Sequence, residues 1–157
     1  MLGLNLKLIN QFKNVPFTEG RGEILKSKYK GNKLELHDHS YNASPVSMRD
    51  TIDIFNKFKN KHLVYVIGDM NELGNKSEKF HMELIKYLIL IKAKKVIFVG
   101  SKFYLLRKRY KRLQFEYYEN IDSVISNAEK IFNRNSKVFL KGSNSINLRK
   151  LSNHLIS

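Results

Sequence analysis

Asp38-His39-Ser40-Tyr41-Asn42-Ala43-Ser44-Pro45-Val46-Ser47-Met48 stands where an extended apolar run gives way to an amphipathic helix. Ser44 suits the N-cap position, where a hydroxyl accepts a free backbone N–H. Pro45 suits the first helical turn, where the N–H it lacks is not needed. Met48, Ile52, Ile54, Phe55 and Phe58 follow at helical spacing, which predicts a helix over 47–58. A strand-to-helix junction crowded with small and polar residues is where α/β proteins place ligands.

Working outward, 23–29 and 33–38 read as two strands of a hairpin turned at Lys30-Gly31-Asn32. Downstream, 62–67 is a nearly continuous apolar run of the kind found in buried parallel strands. A helix over 77–91 follows, opened by Ser77 and carrying Phe80, Leu84, Tyr87, Leu88 and Ile91. The alternation continues with a strand at 95–99, a helix at 102–112, a strand at 115–118, a helix at 121–132, a strand at 137–140 and a helix at 147–156. It predicts an α/β fold: a Rossmann-like three-layer domain whose mostly parallel sheet has helices on both faces and a β-hairpin-like segment in front. Before the hairpin, 1–13 reads as the end of a helix with Leu2, Leu6, Ile9 and Phe12 on one face, and 15–20 as a linker punctuated by Pro16 and Gly20. Nothing ahead of that apolar face supplies a partner for it, so the chain is expected to begin part-way through a larger architecture.

A length of 157 residues suits one domain with a real core, and 42% hydrophobic with 27% charged residues excludes a disordered chain. Cysteine is absent, which removes disulfides, thiolate metal sites and thiol nucleophiles. No apolar run approaches the roughly 20 residues of a membrane span. The start lacks a basic leader with an apolar block, so a cytoplasmic protein with no membrane partner is expected. The net charge of +15 fits nucleic acid, an anionic membrane surface or a phosphorylated substrate, or else a dispersed solvated surface written by background composition. Only Arg107-Lys108-Arg109-Tyr110-Lys111-Arg112 stands out as a block.

Three polar clusters each follow a strand and precede a helix: 38–48, Gly68-Asp69-Met70-Asn71-Glu72-Leu73-Gly74, and Lys141-Gly142-Ser143-Asn144-Ser145. Their loops should share one edge of the sheet, where helix-start amides with Arg21 and Lys141 favour an anionic ligand. No G-x-x-x-x-G-K-[ST] loop and no G-x-G-x-x-G after a strand is present, so the domain can contribute to a nucleotide site but not build one alone. His37, Asp38 and His39 do not make a metal site, because on a strand the two histidines share one face and Asp38 the other.

Gly20-Arg21-Gly22-Glu23, the 38–48 block, the 68–74 loop with Ser77, Glu78 and His81 behind it, and Lys141-Gly142-Ser143 occur in this order. In that order and spacing they resemble the C-terminal domain of the Mur ligase family, in the branch that adds D-alanyl-D-alanine in peptidoglycan precursor synthesis. The resemblance covers nearly the whole chain from Gly20, and residues 1–19 are similar to the helix and linker that end the family's central ATPase domain. It implies use of ATP and Mg²⁺ to activate a carboxylate of UDP-N-acetylmuramoyl-tripeptide as an acyl phosphate, which the amine of D-alanyl-D-alanine attacks. It also implies that the phosphate loop, the metal ligands and the catalytic residues lie on the central domain, the UDP-sugar pocket on an N-terminal domain, and that this domain swings over ATP and keeps water out. By the same resemblance Arg21, Asp38, Tyr41 and Asn42 face ATP, while Lys141, Ser143 and Asn144 face the dipeptide. Asp69 and Glu72 brace their loop through hydrogen bonds and capping, and His81 packs in a helix. The sequence departs from the family pattern at three places: His39 replaces a second acid, Ser44 an Asn, and Asn144 an Arg.

A different class of function, a basic α/β module that binds nucleic acid through 107–112, also fits the charge, although only Tyr110 interleaves an aromatic ring there. A fold retained without activity is a third possibility.

Overall fold

The computed structural model describes residues 19–58 and 62–157, so the helix expected over 1–13 and most of the linker after it lie outside the described residues. Six strands form one sheet: β1 (Glu23–Tyr29), β2 (Asn32–His39), β3 (Leu63–Gly68), β4 (Val96–Val99), β5 (Phe115–Tyr118) and β6 (Ser136–Lys141). Their spatial order is β1-β2-β6-β3-β4-β5, with β1 antiparallel to β2 and every other pairing parallel. The helices are α1 (Pro45–Asn56), α2 (Ser77–Leu90), α3 (Ser101–Leu106), α4 (Ile121–Ser126), α5 (Ala128–Ile131) and α6 (Arg149–Ile156). Among them none is long and apolar enough to cross a membrane.

Strand alternation sorts the core into two layers. On one face Tyr65, Ile67, Phe98 and Phe139 pack with Met48, Ile52, Phe55, Leu84 and Phe103 from α1, α2 and α3. On the other, Val64, Val66, Ile97, Val138 and Leu140 pack with Val124, Ala128, Leu148, Leu151 and Leu155. The Rossmann-like three-layer expectation holds, hairpin included.

The Ser44–Pro45 junction folds as its residues dictate. Ser44 caps α1 from an extended backbone, its Oγ accepting the Ser47 N–H at 3.2 Å while Ser47 Oγ accepts the Ser44 N–H at 3.0 Å. Ser77 does not open its helix in the same way; a 3₁₀ turn at Gly74–Lys76 leads in without a side-chain cap.

Four helices differ from their predicted extents by two residues or more, the first of them running over Pro45–Asn56 where 47–58 was expected. The helix expected over 102–112 stops at Leu106; continuing it would set Arg107 against Lys111 and Lys108 against Arg112 one turn apart. The helix expected over 121–132 breaks at Asn127, whose Nδ2 donates to Ser123 O at 2.9 Å in competition with the backbone. The last helix begins at Arg149 rather than 147, after a 3₁₀ turn at Asn144–Ile146 and a left-handed Asn147 at φ 56°.

Candidate functional site

Because β2, β6 and β3 run parallel, the connections leaving them emerge side by side at one edge of the sheet. Gly68 and Gly142 end β3 and open the loop after β6 in backbone contact: a Cβ on Gly142 would lie 2.7 Å from the Gly68 Cα. The 69–74 loop and the Lys141-Gly142-Ser143 loop therefore touch, as the three-cluster reading requires.

The Gly20-Arg21-Gly22 segment extends the hairpin toward this edge. Gly22 N–H donates to Asp38 O at 2.8 Å and Tyr41 N–H to Gly20 O at 3.0 Å. This pairing sets the Arg21 guanidinium 3.8 Å above the Tyr41 ring. Gly20 has φ 73° and a Cβ there would meet Ser40 Oγ at 2.9 Å, so only glycine passes this point without strain. Arg21, Tyr41 and Asn42 are all exposed.

Lys141 is the buried cation of the site. It is 6% exposed, donates from Nζ to Asn42 O at 2.9 Å, and forms no ion pair among the described residues. Burial holds its pKa below the ordinary lysine value, so an anion brought to this edge would restore what desolvation removes. The adjacent His39 cannot supply one. Packed against Gly22 and the Phe139 ring, it is kept below the usual histidine range, first by burial and then by the Lys141 charge.

Asp38, expected on the ATP side, faces inward instead. It has no solvent exposure; Oδ1 accepts the Ser40 N–H at 2.9 Å, and Oδ2 accepts Ser152 Oγ at 2.6 Å and Arg149 Nη1 at 3.1 Å. Burial alone would raise its pKa, but these hydrogen bonds from Ser152, Ser40 and Arg149 win and hold it below the usual carboxylate range. The reason is alternation along β2, which turns Asp38 toward α6 while His37 meets Phe55 and Phe58 on the opposite face. The two histidines and Asp38 are thus divided between faces, and no group of three or more His, Cys, Asp or Glu suited to a metal occurs among the described residues.

The 69–74 loop is braced from below. Asp69 accepts the N–H groups of Lys102 at 2.9 Å and Phe103 at 3.0 Å, closing the start of α3, and its own carbonyl takes the Ser143 N–H at 2.9 Å. Burial raises the Asp69 pKa against the pull of those two amides. His81 donates from Nδ1 to Ser77 O at 2.7 Å and accepts the Met70 N–H on Nε2 at 3.1 Å. Both ring nitrogens are committed in the neutral form, which burial also favours. His81 is therefore more than helix packing: it pins the loop to α2. Glu72 does not brace the loop as expected. It is exposed at φ 61°, and its side chain accepts no hydrogen bond and forms no ion pair among the described residues.

Asn71 joins the two loops. Its N–H donates to Ser143 Oγ at 2.8 Å, its Nδ2 to Ser145 Oγ at 2.6 Å, and its Oδ1 accepts Lys102 Nζ at 2.6 Å. Ser143 is consequently buried and oriented, whereas Asn144 is exposed in its 3₁₀ turn. A recess of about 340 Å³ opens beside Asn71, Lys102, Asn120 and Ser145. Lys102 and Arg149 were not singled out by the sequence reading. Lys102 had a local signal, its place just past a strand-ending glycine; Arg149 had none, since its partner Asp38 is 111 residues away.

Residues 20–144 match the glutamate ligase domain of the Mur ligases. The UDP-N-acetylmuramoyl-tripeptide–D-alanyl-D-alanine ligase of Rickettsia prowazekii (strain Madrid E) is 26% identical over 153 residues, covering 96% of this chain and 33% of that protein. Among solved structures, a MurF crystal structure from Acinetobacter baumannii superposes with a TM-score of 0.76 at 22% identity, over 98% of this chain and 34% of the other. The MurF ligase of Thermotoga maritima in complex with ADP gives 0.70 at 18% identity, over 96% and 35%. At these identities the structural likeness speaks for the fold, and the chain spans about a third of the length of the relatives it matches.

Proposed function

The chain belongs to the Mur ligase family, through its glutamate ligase domain, and from that premise we propose that it is the domain that closes over ATP in a ligase joining D-alanyl-D-alanine to UDP-N-acetylmuramoyl-tripeptide. The family's ligases depend on ATP. The observation that carries the reading is the buried Lys141, without a carboxylate partner among the described residues, set between Asn42 and the Ser143 loop at the edge where Arg21 stacks on Tyr41. In this reading Arg21, held flat on Tyr41, keeps its outer N–H groups for phosphate oxygens and offsets their charge as the domain closes. Asn42 lines the nucleotide side with its amide. Lys141 and Ser143 receive the carboxylate of the incoming dipeptide, and exposed Asn144 adds a neutral contact where relatives place a cation. Asp38 shapes the site from beneath by locking β2 to α6.

Activation of the acid with ATP and Mg²⁺ requires metal ligands and a phosphate loop, the motif of which this sequence lacks. They belong to a central ATPase domain, of which residues 1–19 form the tail, with a UDP-sugar domain as the third part. The 157 residues are not competent alone, and the setting is cytoplasmic. A graft tests the proposal: the corresponding third of the matched D-alanyl-D-alanine ligase is replaced by this chain, and ADP release is followed with and without dipeptide. Dipeptide-dependent turnover in the graft, lost on Lys141→Met, is the expected result. ATP-dependent ligation by the 157 residues alone, or a graft that binds substrates yet never turns over, would sink the proposal.

A further inference from the structure

The lysines and arginines that look dispersed along the sequence are gathered by the topology. In a parallel sheet every helix-to-strand connection returns to the edge opposite the candidate site, and the β1–β2 turn lies there too. These returns carry Lys30, Lys57, the Lys92–Lys95 segment, the Arg107–Arg112 block and Arg134, and no Asp or Glu falls in any of them. The acids closest by are already engaged: Glu35 binds Lys137 and His37, Glu116 accepts the Tyr118 hydroxyl at 2.8 Å, and Glu78 lies 3.9 Å from Arg109 Nη1, which leaves the other cations of the 107–112 block without a carboxylate among the described residues. A recess of about 550 Å³ opens among Lys94, Lys95 and Arg134, and another of about 440 Å³ among Lys26, Lys33 and Lys137.

Apolar side chains stand out from the same edge. Leu113 is fully exposed beside Arg112, and Leu90 and Leu105, at the last turns of α2 and α3, are 74% and 75% exposed. Nucleic-acid surfaces combine cations with stacking rings. Here Arg107 already lies 3.9 Å over Tyr104, and the residues that project are leucines. Cations around protruding aliphatic side chains match a lipid surface, where anionic headgroups take the charge and the acyl boundary takes the leucine.

We propose that the edge formed by the Lys92–Lys95 and Arg107–Leu113 connections docks on an anionic lipid bilayer, with the ligand-binding edge directed away from it. The attachment is peripheral and reversible, built on charge and a shallow leucine, and it leaves the Arg21 and Lys141 side open to the other domains. It stands apart from the proposed ligase role, since the two edges share none of these residues.

Vesicle co-sedimentation of the 157-residue chain tests it. Vesicles of phosphatidylcholine with about one-third phosphatidylglycerol should retain the protein at least about tenfold better than pure phosphatidylcholine, and less as salt rises. Changing Lys94→Glu, Lys108→Glu and Arg112→Glu together should reduce binding to the phosphatidylcholine level. Leu113→Ser, which alters no charge, should weaken it severalfold. All four residues are exposed, and circular dichroism checks that the variants fold. Equal retention by both vesicle types, or indifference to the triple reversal, overturns the proposal. So does binding to a single-stranded RNA oligonucleotide that is lost in the triple variant and untouched by Leu113→Ser while vesicles go unbound, which would make the edge a nucleic-acid surface.

Discussion

Arg149 Nη1, on the last helix, lies 3.1 Å from Oδ2 of Asp38, a carboxylate with no solvent exposure. The same guanidinium reaches Glu23 at 2.6 Å, so one side chain ties α6 to both strands of the hairpin. Removing one member of a buried pair costs roughly 3–5 kcal/mol, and Glu23 keeps Arg149 partly paired. Asp38→Asn is therefore expected to destabilise the chain by about 3 kcal/mol in urea titration. A depressed carboxylate contributes its stability above the unfolded-state value of 3.8 and loses it as pH falls through the folded one. The acid limb below about pH 4 should accordingly flatten in Asp38→Asn.

His81 gives the opposite end of the acid response. Its folded pKa lies below 6.5, so as pH drops under 6.5 the unfolded chain takes up a proton that the folded one refuses. Stability is then present above 6.5 and declines toward the folded value, by up to about 1.4 kcal/mol per pH unit. Thermal melts at pH 7.5 and 5.5 should separate in the native chain. The separation should narrow in His81→Gln, leaving the part contributed by His39, whose folded pKa is also held below 6.5, and both melts should fall to lower temperature because Met70 N–H is then less well paired.

Gly142 and Gly68 rank by what a methyl would strike. At Gly142 the new carbon meets Gly68 backbone at 2.7 Å, while at Gly68 the nearest contacts are at 3.1 Å. Gly142→Ala is expected to cost about 1–3 kcal/mol by overpacking, and Gly68→Ala less. Differential scanning calorimetry of the two variants gives the order directly.

Arg21 should be separable from folding. It is exposed and its stack on Tyr41 is worth only about 0.5–1 kcal/mol. Arg21→Ala is expected to leave the melting temperature of the chain nearly unchanged. In the grafted enzyme it should raise KM for ATP about tenfold, the equivalent of one charge-assisted hydrogen bond. Arg21→Lys, which keeps charge but not the planar stack, should recover only part of this.

Which features were legible follows from the distance over which each is determined. The Ser44 cap needs only Ser47, three residues on, and the Phe115–Tyr118 strand needs only its own aromatic residues Phe115, Tyr117 and Tyr118; both were read correctly. The end of α3 at Leu106 and the break at Asn127 were missed, because apolar spacing continues past points where like charges or a side-chain amide stop the helix. Asp38 was placed on the ATP side by its match to a family position, while the partners that hold it inward, Arg149 and Ser152 on the last helix, are invisible locally. Charge shows the same limit. Lys94 and Arg112 are far apart in sequence, and only the return of each crossover to one edge makes them neighbours in effect.

The antiparallel β1 has a consequence for self-association. It closes one border of the sheet with Lys26 and Lys28 exposed along it, and β5 closes the other with only four residues. A stray strand from a second molecule adding to β1 would have to desolvate those ammonium groups, and β5 is too short to template one. The domain is thereby guarded at both borders against sheet-to-sheet polymerisation, and concentrated solutions of it should stay free of thioflavin-positive aggregates.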